Sequence, residues 1–382
     1  MPIRDRISGR RAFLGQCIAA ACTAALPVAT RAAEVRDRRV LVDWHSHYVS
    51  HAEVDALAAR KIAPRILVQA DGHTVLQNVT TVSSAGGPPS AYEPSDIEAR
   101  LQHLDRHGIE RQLLTHTVAL GLDATLAIEE LRPLFRAFND ELATVVARHP
   151  GRFLAVAAVP SADPRWAADE LRRAQRELGF IGASLPLNAF STLAGARTLA
   201  PIFEAAQKLG SHIFVHRGPA SSRVPGQPPL VVPDDTEYAR WSLINNSHLT
   251  AGGITLGLTD FLDPYPDVSV QVIMLAGFLP YLLGSWLPAA EKAGVKDPLA
   301  RLRRLYLDPG PYSRNPAWVK LAAEGLGADR ILFGTDYGVG GGARGDVAPA
   351  LEALDGALSA EQRSQIYVDN SRELLRRKGI NI

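Results

Sequence analysis

The sequence is poor in cysteine. Among its 382 residues, Cys17 and Cys22 are the two that occur, and both precede residue 34. Disulfide bonds therefore cannot stabilise the remainder of the chain, and a hydrophobic core must do so instead. About 350 residues with near-average apolar content are enough for one large α/β barrel, because the usual size range of that fold reaches this length.

The sequence also lacks a strong excess of charge of either sign. The formal net charge at pH 7 is +1, and it falls to −3 when residues 1–33 are left out. No basic stripe occurs later in the chain, which argues against nucleic acid as a partner. No glycine-rich phosphate-binding motif follows any apolar run, so nucleotide binding is disfavoured as well.

A third absence is an apolar run of the roughly 20 residues that a membrane-spanning helix needs. The alanine-rich stretch at 15–28 is shorter, and it follows the segment Ser-Gly-Arg-Arg-Ala-Phe-Leu at 8–14. This is the twin-arginine pattern of an export signal. We predict that residues 1–33 form a signal peptide and that the protein is periplasmic, without stable membrane association after cleavage. An uncleaved anchor or a disordered basic tail is the alternative.

Short apolar runs alternate along the chain with longer segments in which apolar residues recur every three or four positions. The short runs predict strands, and the longer segments, such as 124–149 and 164–178, predict helices. This alternation implies a parallel sheet, and a strand count near eight favours a closed barrel over an open sheet. We therefore predict an α/β fold, a single (β/α)8 TIM barrel over residues 34–382. Its predicted strands are 40–47, 112–116, 153–159, 181–185, 212–216, 268–275, 305–307 and 330–336.

Residues 48–93 interrupt this alternation. The segment is long and irregular, with several glycine, proline and small polar residues. We predict a long insertion after strand one, which either covers the functional site or is a partly disordered surface excursion. It ends before the segment Ser-Asp-Ile-Glu at 95–98, whose spacing is typical of a capping box, so a helix is expected from there to about His107.

Polar residues end three of the predicted strands. The first strand ends in His45 and His47, the fifth ends in His216, and the eighth ends in Asp336. Residues two positions apart on a strand point to the same face, so the first two imidazoles can close on one divalent ion. The carboxyl ends of barrel strands carry the chemistry in this fold, which makes the four residues candidates for one site. Each alone also has a structural explanation, as a hydrogen-bonded histidine or a turn-forming aspartate.

Shorter motifs occur in a specific order along the same part of the chain. They are Asn139-Asp140, Pro-Gly-Arg-Phe at 150–153, Leu-Gly-Phe-Ile-Gly at 178–182, Phe-Leu-Pro-Tyr at 278–281, Gly-Thr-Asp-Tyr at 334–337 and Asn370. Together with the histidines they make the chain resemble the amidohydrolase superfamily. The resemblance is to the branch of aminocarboxymuconate semialdehyde decarboxylase and the resorcylate-type decarboxylases.

This resemblance implies a metal-dependent enzyme. His45, His47 and His216 would bind one divalent ion, zinc or alternatively manganese, and Asp336 would bind it or lie beside it. Such an ion polarises a carboxylate or hydroxyl of the substrate, or lowers the pKa of a bound water. Asp336 would then transfer the proton that the reaction needs.

Within this family we favour non-oxidative decarboxylation of a small aromatic or unsaturated carboxylic acid. Arg217 follows a predicted ligand directly and is the candidate for binding the substrate carboxylate, although it could equally point into the barrel wall. Hydrolysis of a lactone or amide is one alternative, and a periplasmic binding protein with a degenerate site is another. The sequence is compatible with a homodimer.

One position departs from the family pattern. The sixth strand of its members commonly ends in a histidine, and the matching residue here is Met274. Methionine cannot transfer a proton, so either Asp336 acts alone or another residue, such as His116 or His248, takes that place. This departure keeps the hydrolytic alternative open.

Overall fold

The computed structural model of the protein describes residues 39–77, 90–228, 236, 238–311, 315–338 and 347–380. The predicted signal peptide therefore lies outside the described residues. Within the described ranges, no helix combines the length and the apolar character that crossing a membrane requires.

The centre of the fold is a curled parallel sheet. Seven strands pair in the order β1-β5-β6-β7-β8-β9-β10. Strands buried on both faces are apolar throughout, as β6 shows with its sequence Phe-Leu-Ala-Val-Ala-Ala, in which every residue is buried. The described strands are β1 (Val40–His47), β2 (Arg65–Val68), β3 (Thr74–Gln77), β4 (Ser90–Ala91), β5 (Ile109–Thr115), β6 (Phe153–Ala158), β7 (Gly182–Pro186), β8 (His212–His216), β9 (Ser269–Val272) and β10 (Leu305–Leu307).

The segment 331–337 bridges the two edges of this sheet. Ile331 pairs in parallel with Leu307 of β10, and Tyr337 pairs in parallel with Ser46 of β1. The resulting ring of strands is consistent with the predicted TIM barrel. The eighth member differs from the prediction, because it pairs through isolated bridges and not as a continuous strand.

Helices alternate with the strands of the parallel sheet. The two longest predicted helical segments are confirmed, since 124–149 contains the 21-residue helix α4 and 164–178 contains α5. The described α-helices are α1 (His51–Ala58), α2 (Ile97–His107), α3 (Leu122–Thr125), α4 (Ile128–Arg148), α5 (Pro164–Glu177), α6 (Leu193–Thr198), α7 (Ala200–Leu209), α8 (Tyr238–Leu258), α9 (Leu279–Lys292), α10 (Pro298–Leu302), α11 (Pro316–Ala322), α12 (Ala348–Ala357), α13 (Ala360–Ser364) and α14 (Asn370–Arg377).

The helix α2 shows how the local sequence sets its ends. The side chain of Asp96 accepts a hydrogen bond from the N–H of Ala99, and Gly108 stops the helix with φ 67°. The predicted end at His107 is therefore confirmed. The cap is Asp96 and not the preceding serine, because Ser95 instead accepts a hydrogen bond from the N–H of Val49 at 3.0 Å.

The segment between β1 and α2 corrects an expectation from the sequence. The described part of 48–93 is not irregular, since it contains α1 and a small antiparallel sheet in the order β2-β3-β4. Arg65 of β2 pairs with Gln77 of β3, and Val68 pairs with Thr74, so the two strands form a short hairpin. These strands have four residues each and were too short to give a clear period in the sequence. Residues 78–89 lie outside the described residues.

The strand β9 ends earlier than the sequence predicted, at Val272 instead of 275. The backbone of Met274, Leu275 and Ala276 has φ values of 52°, 55° and 53°. Left-handed residues cannot continue a strand, so the chain turns at this point.

Candidate metal centre

Two of the predicted ligands come from β1. His45 and His47 are fully buried, and their ring centroids are 5.4 Å apart. The pairing of β1 with β5 shifts register between Asp43 and Ser46, and an irregularity of this kind re-aims side chains near active sites. The two Nε2 atoms approach one oxygen, Oδ1 of Asp336, at 3.2 Å from His45 and 3.0 Å from His47.

The other two ligands come from distant parts of the chain. His216 is the last residue of β8, and its ring centroid lies 4.6 Å from that of His47 and 5.2 Å from that of His45. Asp336 has a left-handed backbone (φ 63°), and its N–H donates to the carbonyl of His45 at 2.8 Å. The potential ligand atoms of these four residues all lie within 4.8 Å of one another. The structure thus brings together every residue that the sequence predicted for the metal.

In each histidine, Nδ1 forms a hydrogen bond with another group of the protein. Nδ1 of His45 lies 2.7 Å from Oδ1 of Asp308, and because a carboxylate only accepts, this nitrogen carries the hydrogen. Nδ1 of His216 likewise donates to the carbonyl oxygen of Arg217 at 2.8 Å. Both rings therefore present Nε2 to the centre.

The third ring follows the same rule. Nδ1 of His47 lies 3.2 Å from Oγ1 of Thr115, and the Thr115 hydroxyl donates to the carbonyl of Ser46 at 2.8 Å. Because the single hydroxyl hydrogen is used there, Oγ1 accepts from the ring. The Nε2 atoms of all three rings therefore face the centre, and those of His45 and His47 lie 3.2 and 3.0 Å from Oδ1 of Asp336.

The donor set fits a divalent cation. Nε2 of His45 is buried and has no hydrogen-bond partner, although Oδ1 of Asp336 is 3.2 Å away. A buried polar atom without a partner is unfavourable, and a bound cation would satisfy it. Three imidazole nitrogens and one carboxylate oxygen are ligands that zinc and similar divalent metals accept.

Burial and charge set the protonation of this centre. Burial lowers the pKa of His216 well below its usual value, helped by the neighbouring His47 and His45, and burial also lowers the pKa of His47. At His45 burial acts in the same direction, but the carboxylates of Asp308 and Asp336 outweigh it and raise the pKa to about 10. Burial favours protonation of Asp336, but His45 and His47 hold the pKa of its carboxyl well below the usual value. A cation would therefore meet two neutral imidazoles and one ionised carboxylate, and it would displace a proton from the third imidazole.

Sequence reasoning missed Asp308. This residue is fully buried and follows β10 directly, so it ends a strand just as Asp336 ends the eighth segment. Its Oδ2 accepts a hydrogen bond from Nε2 of Gln271 at 2.6 Å. Its position at a strand end was a usable signal. However, an aspartate there is also typical of turns.

A second buried network, also missed, holds the backbone of β1. Asp43 accepts from the N–H of His45 at 3.2 Å, from the hydroxyl of Thr335 at 2.7 Å and from Nε2 of Gln112 at 2.7 Å. Arg100 of α2 donates to Oε1 of Gln112 at 2.8 Å. These bonds tie β1 to β5, to α2 and to the eighth segment, and so they fix where the ligands lie.

Two further residues singled out from the sequence lie at the ends of β8 and β9. Arg217 is half-buried, and its guanidinium carbon lies 5.0 Å from the centroid of the Trp241 ring on α8. Met274 is buried and begins the left-handed turn after β9. Arg217 holds the ring of His216 through its backbone carbonyl, whereas its side chain lies against Trp241.

The two histidines considered as substitutes at the family position lie just beyond β5 and on α8. His116 is buried just beyond β5, with Nε2 at 3.1 Å from Oε1 of Glu53, and it lines a cavity of about 10 Å³. That volume is about the space of one water molecule. His248 lies half-buried on α8, where burial lowers the pKa of its ring.

A curled parallel sheet that carries three histidines and an aspartate at its carboxyl end is consistent with a metal-dependent enzyme of the TIM-barrel type. The amidohydrolase family model matches residues 42–377. The chain therefore belongs to the amidohydrolase family, and the resemblance seen in the sequence is confirmed.

Named relatives agree with this assignment. Gamma-resorcylate decarboxylase from Rhizobium sp. is 30% identical over 290 residues, which cover 68% of this chain and 84% of that protein. The crystal structure of 5-carboxyvanillate decarboxylase from Sphingomonas paucimobilis superposes with a TM-score of 0.67 at 20% identity, covering 89% of this chain and 99% of the other. Dihydroxybenzoic acid decarboxylase from Polaromonas sp. JS666, with bound manganese and 2-nitroresorcinol, superposes with a TM-score of 0.62 at 21% identity, covering 89% and 97%. The two structural likenesses establish the fold.

Proposed function

We propose that this protein is a metal-dependent carboxy-lyase that removes CO₂ from a small aromatic or unsaturated carboxylic acid. The observation that carries the proposal is the convergence of three imidazole nitrogens and one carboxylate within 4.8 Å at the carboxyl end of the parallel strands. The same chain is 30% identical to a gamma-resorcylate decarboxylase. The sequence prediction of a metal-dependent, non-oxidative decarboxylase is confirmed by its relatives.

The metal proposed for the centre is zinc, with manganese as the alternative. Imidazole ligands suit zinc, and the carboxylate of Asp336 suits either ion. Support for manganese comes from the Polaromonas sp. JS666 decarboxylase, whose crystal structure holds that metal. When bound, the ion would polarise the carboxylate or a hydroxyl oxygen of the substrate.

Asp336 is proposed as the residue that moves the proton. Its side chain is 28% exposed, whereas the side chains of His45 and His47 are fully buried, so it faces the space that a substrate would enter. Hydrogen bonding of its N–H to β1 fixes the carboxylate beside the ligands. A carboxylate held there can accept a proton from a hydroxyl of the substrate or from water and pass it to the ring carbon that loses CO₂.

Arg217 is proposed to bind the substrate carboxylate. It follows His216 directly, and its half-buried guanidinium stacks on Trp241, which limits the orientations of its planar donors. A guanidinium held in one plane can bind a carboxylate in bidentate fashion. The substrate is accordingly proposed to be an acid.

Hydrolysis of a lactone or amide is the second candidate, and Met274 favours it. The residue gives the end of β9 no proton-transfer group where the family commonly has a histidine. A hydrolase needs a base that activates water and does not need to protonate carbon. Asp336 alone could serve as that base.

Isotope labelling separates the two reactions. Purified protein loaded with zinc or manganese is screened with 2,6-dihydroxybenzoate, 5-carboxyvanillate, related aromatic acids and lactones, and metal-stripped protein is the control. We expect CO₂ release, deuterium from D₂O on the carbon that lost CO₂, and no ¹⁸O from H₂¹⁸O in the remaining product. Incorporation of ¹⁸O into a new carboxylate without CO₂ release would show that the protein is a hydrolase and not a decarboxylase.

A further inference from the structure

A buried chain of hydrogen bonds runs behind the metal centre. It starts at Nδ1 of His45, which donates to Oδ1 of Asp308 at 2.7 Å, and continues to Gln271, which donates to Oδ2 of Asp308 at 2.6 Å. It ends at His212 and Ser269, the first residues of β8 and β9. All five side chains are buried, and the functional proposal assigns no role to the last four.

The orientation of the Gln271 amide follows from its neighbours. Its nitrogen faces Oδ2 of Asp308 and also the carbonyl oxygen of Trp44, at 3.2 Å. Its oxygen faces Nε2 of His212 at 3.0 Å. The reversed amide would place an oxygen against two acceptors, so the described orientation is the one that satisfies every group.

Gln271 therefore fixes one oxygen of Asp308, and the other oxygen must accept from His45. This contact makes the hydrogen at Nδ1 obligatory, so Nε2 is the nitrogen left to bind a cation. The acceptors behind His47 and His216 are the Thr115 hydroxyl and a backbone carbonyl, whereas the acceptor behind His45 is the carboxylate of Asp308.

Two glycines pack closely on this pair. A Cβ atom on Gly334 would lie 2.7 Å from Cβ of His45 and 3.0 Å from Oδ1 of Asp308. A Cβ atom on Gly310 would lie 3.0 Å from Nδ1 of His45. Atoms at these distances would push the ring from its place, so the chain leaves no space for the pair to move.

We propose that Asp308, held by Gln271, is the positioning residue of the metal centre. It sets the tautomer and the ring plane of His45 and makes Nε2 a stronger ligand for the divalent cation. Carboxylates placed behind a ligating histidine act in this way, and their loss weakens metal affinity roughly 10- to 100-fold. The inference rests on the proposed metal centre, but it concerns metal affinity and not the reaction.

The test measures metal affinity in purified full-length protein without any substrate. Dissociation constants for Zn²⁺ and Mn²⁺ are determined by chelator competition for the wild type, Asp308→Ala, Asp308→Asn and the control Ser269→Ala. The control removes a buried polar group from the far end of the same chain, where Ser269 lies 3.0 Å from Nδ1 of His212. The absorption spectrum of the Co²⁺-loaded protein reports the ligand field independently of activity.

We expect the Asp308→Ala variant to bind metal roughly 10- to 100-fold more weakly, with a shifted Co²⁺ spectrum, and the Asp308→Asn variant to fall between it and the wild type. The Ser269→Ala control should stay within about threefold of the wild type, with an unchanged spectrum. Thermal melts verify the fold, and if the alanine variant does not fold, the isosteric asparagine variant decides.

Wild-type affinity and spectrum in the Asp308 variants, or an equal loss in the control, would overturn the proposal. A His216→Ala variant shows whether a negative result refutes the positioning role or the metal centre itself. If the wild type binds no better than His216→Ala, the metal centre is wrong. If the wild type binds and His216→Ala does not, failure of the Asp308 variants to weaken binding refutes the positioning role alone.

Discussion

At the scale of single residues, the three histidines of the centre are equivalent in one respect and different in another. Each is held through Nδ1 and presents Nε2. Only His45 among them has a buried carboxylate as its partner, and both side chains of that pair are fully inaccessible to solvent. Removing one member of a buried charged pair is far more costly than removing a neutral hydrogen bond.

This difference predicts unequal stability of two alanine variants in metal-free protein. His45→Ala leaves the Asp308 carboxylate buried with a single donor, and we expect a loss of about 3 kcal/mol or more in the free energy of unfolding. His47→Ala removes the ring contacts with the Thr115 hydroxyl and with Oδ1 of Asp336. Because the Asp336 side chain is 28% exposed and can turn to solvent, this loss should be smaller, about 1–2 kcal/mol. Urea unfolding in the presence of a chelator measures both values.

The double variant His45→Ala/Asp308→Asn serves as the control, because it removes the isolated charge. It should be more stable than His45→Ala alone. Equal losses in the two single variants, or no recovery in the double variant, would contradict the buried-pair explanation.

The sequence predicted the four candidate ligands because each one ends an apolar run, and the carboxyl ends of barrel strands meet. It did not predict Asp308 as a partner of His45, since which strand-end carboxylate lies behind which imidazole depends on the barrel's register. The network of Asp43 with Thr335 was equally hidden, because its members are 292 positions apart. Contacts of this kind follow from closure of the ring and leave no local pattern.

At the scale of elements, the spacing of apolar residues predicted the longest amphipathic helices and most strands of the parallel sheet. The elements that it did not predict have physical reasons. The strands β2 and β3 are too short for a clear period, and the end of β9 depends on a backbone turn with three left-handed residues. The eighth segment has the composition of a strand but pairs through bridges at its two ends.

The last helix, α14, gives a prediction for pH dependence. Lys378 follows it directly and donates to the carbonyl of Gly210, just before β8. Burial, with a smaller contribution from Arg377, lowers the pKa of its ammonium from 10.5 to about 7. Between these pH values the unfolded chain binds more protons than the folded protein, so this group makes stability rise with pH from about 7 to 10.5.

We therefore expect Lys378→Met to gain stability relative to the wild type at pH 6.5, with the difference shrinking as the pH rises towards 10. Urea unfolding at several pH values measures the difference. Lys208→Met on α7 changes an exposed lysine and is the matched control, expected to show a constant difference. A constant difference for Lys378→Met as well would show that its ammonium stays charged in the folded protein.

At the scale of the whole molecule, we propose that residues 1–33 direct the chain through the twin-arginine route to the periplasm. Replacing Arg10 and Arg11 together by lysine should retain the protein in the cytoplasm, since this route depends on the arginine pair. Arg4 and Arg6 replaced by lysine are the control, because they keep the pair intact. Cell fractionation measures the distribution, and undiminished periplasmic delivery of the Arg10/Arg11 variant would exclude this route.

The pairing of the eighth segment with β1 also determines at which stage of folding the metal centre can form. His47 and Asp336 are 289 positions apart, so their meeting is among the most non-local contacts in the chain. Closing a loop of that length costs entropy that is recovered only when the intervening strands have already paired. A chain that is still being synthesised has not yet formed its eighth segment, so it cannot bring all four ligands together. Capture of the proposed metal would therefore be a late event of folding, and a bound ion would mark a chain whose ring of strands has closed.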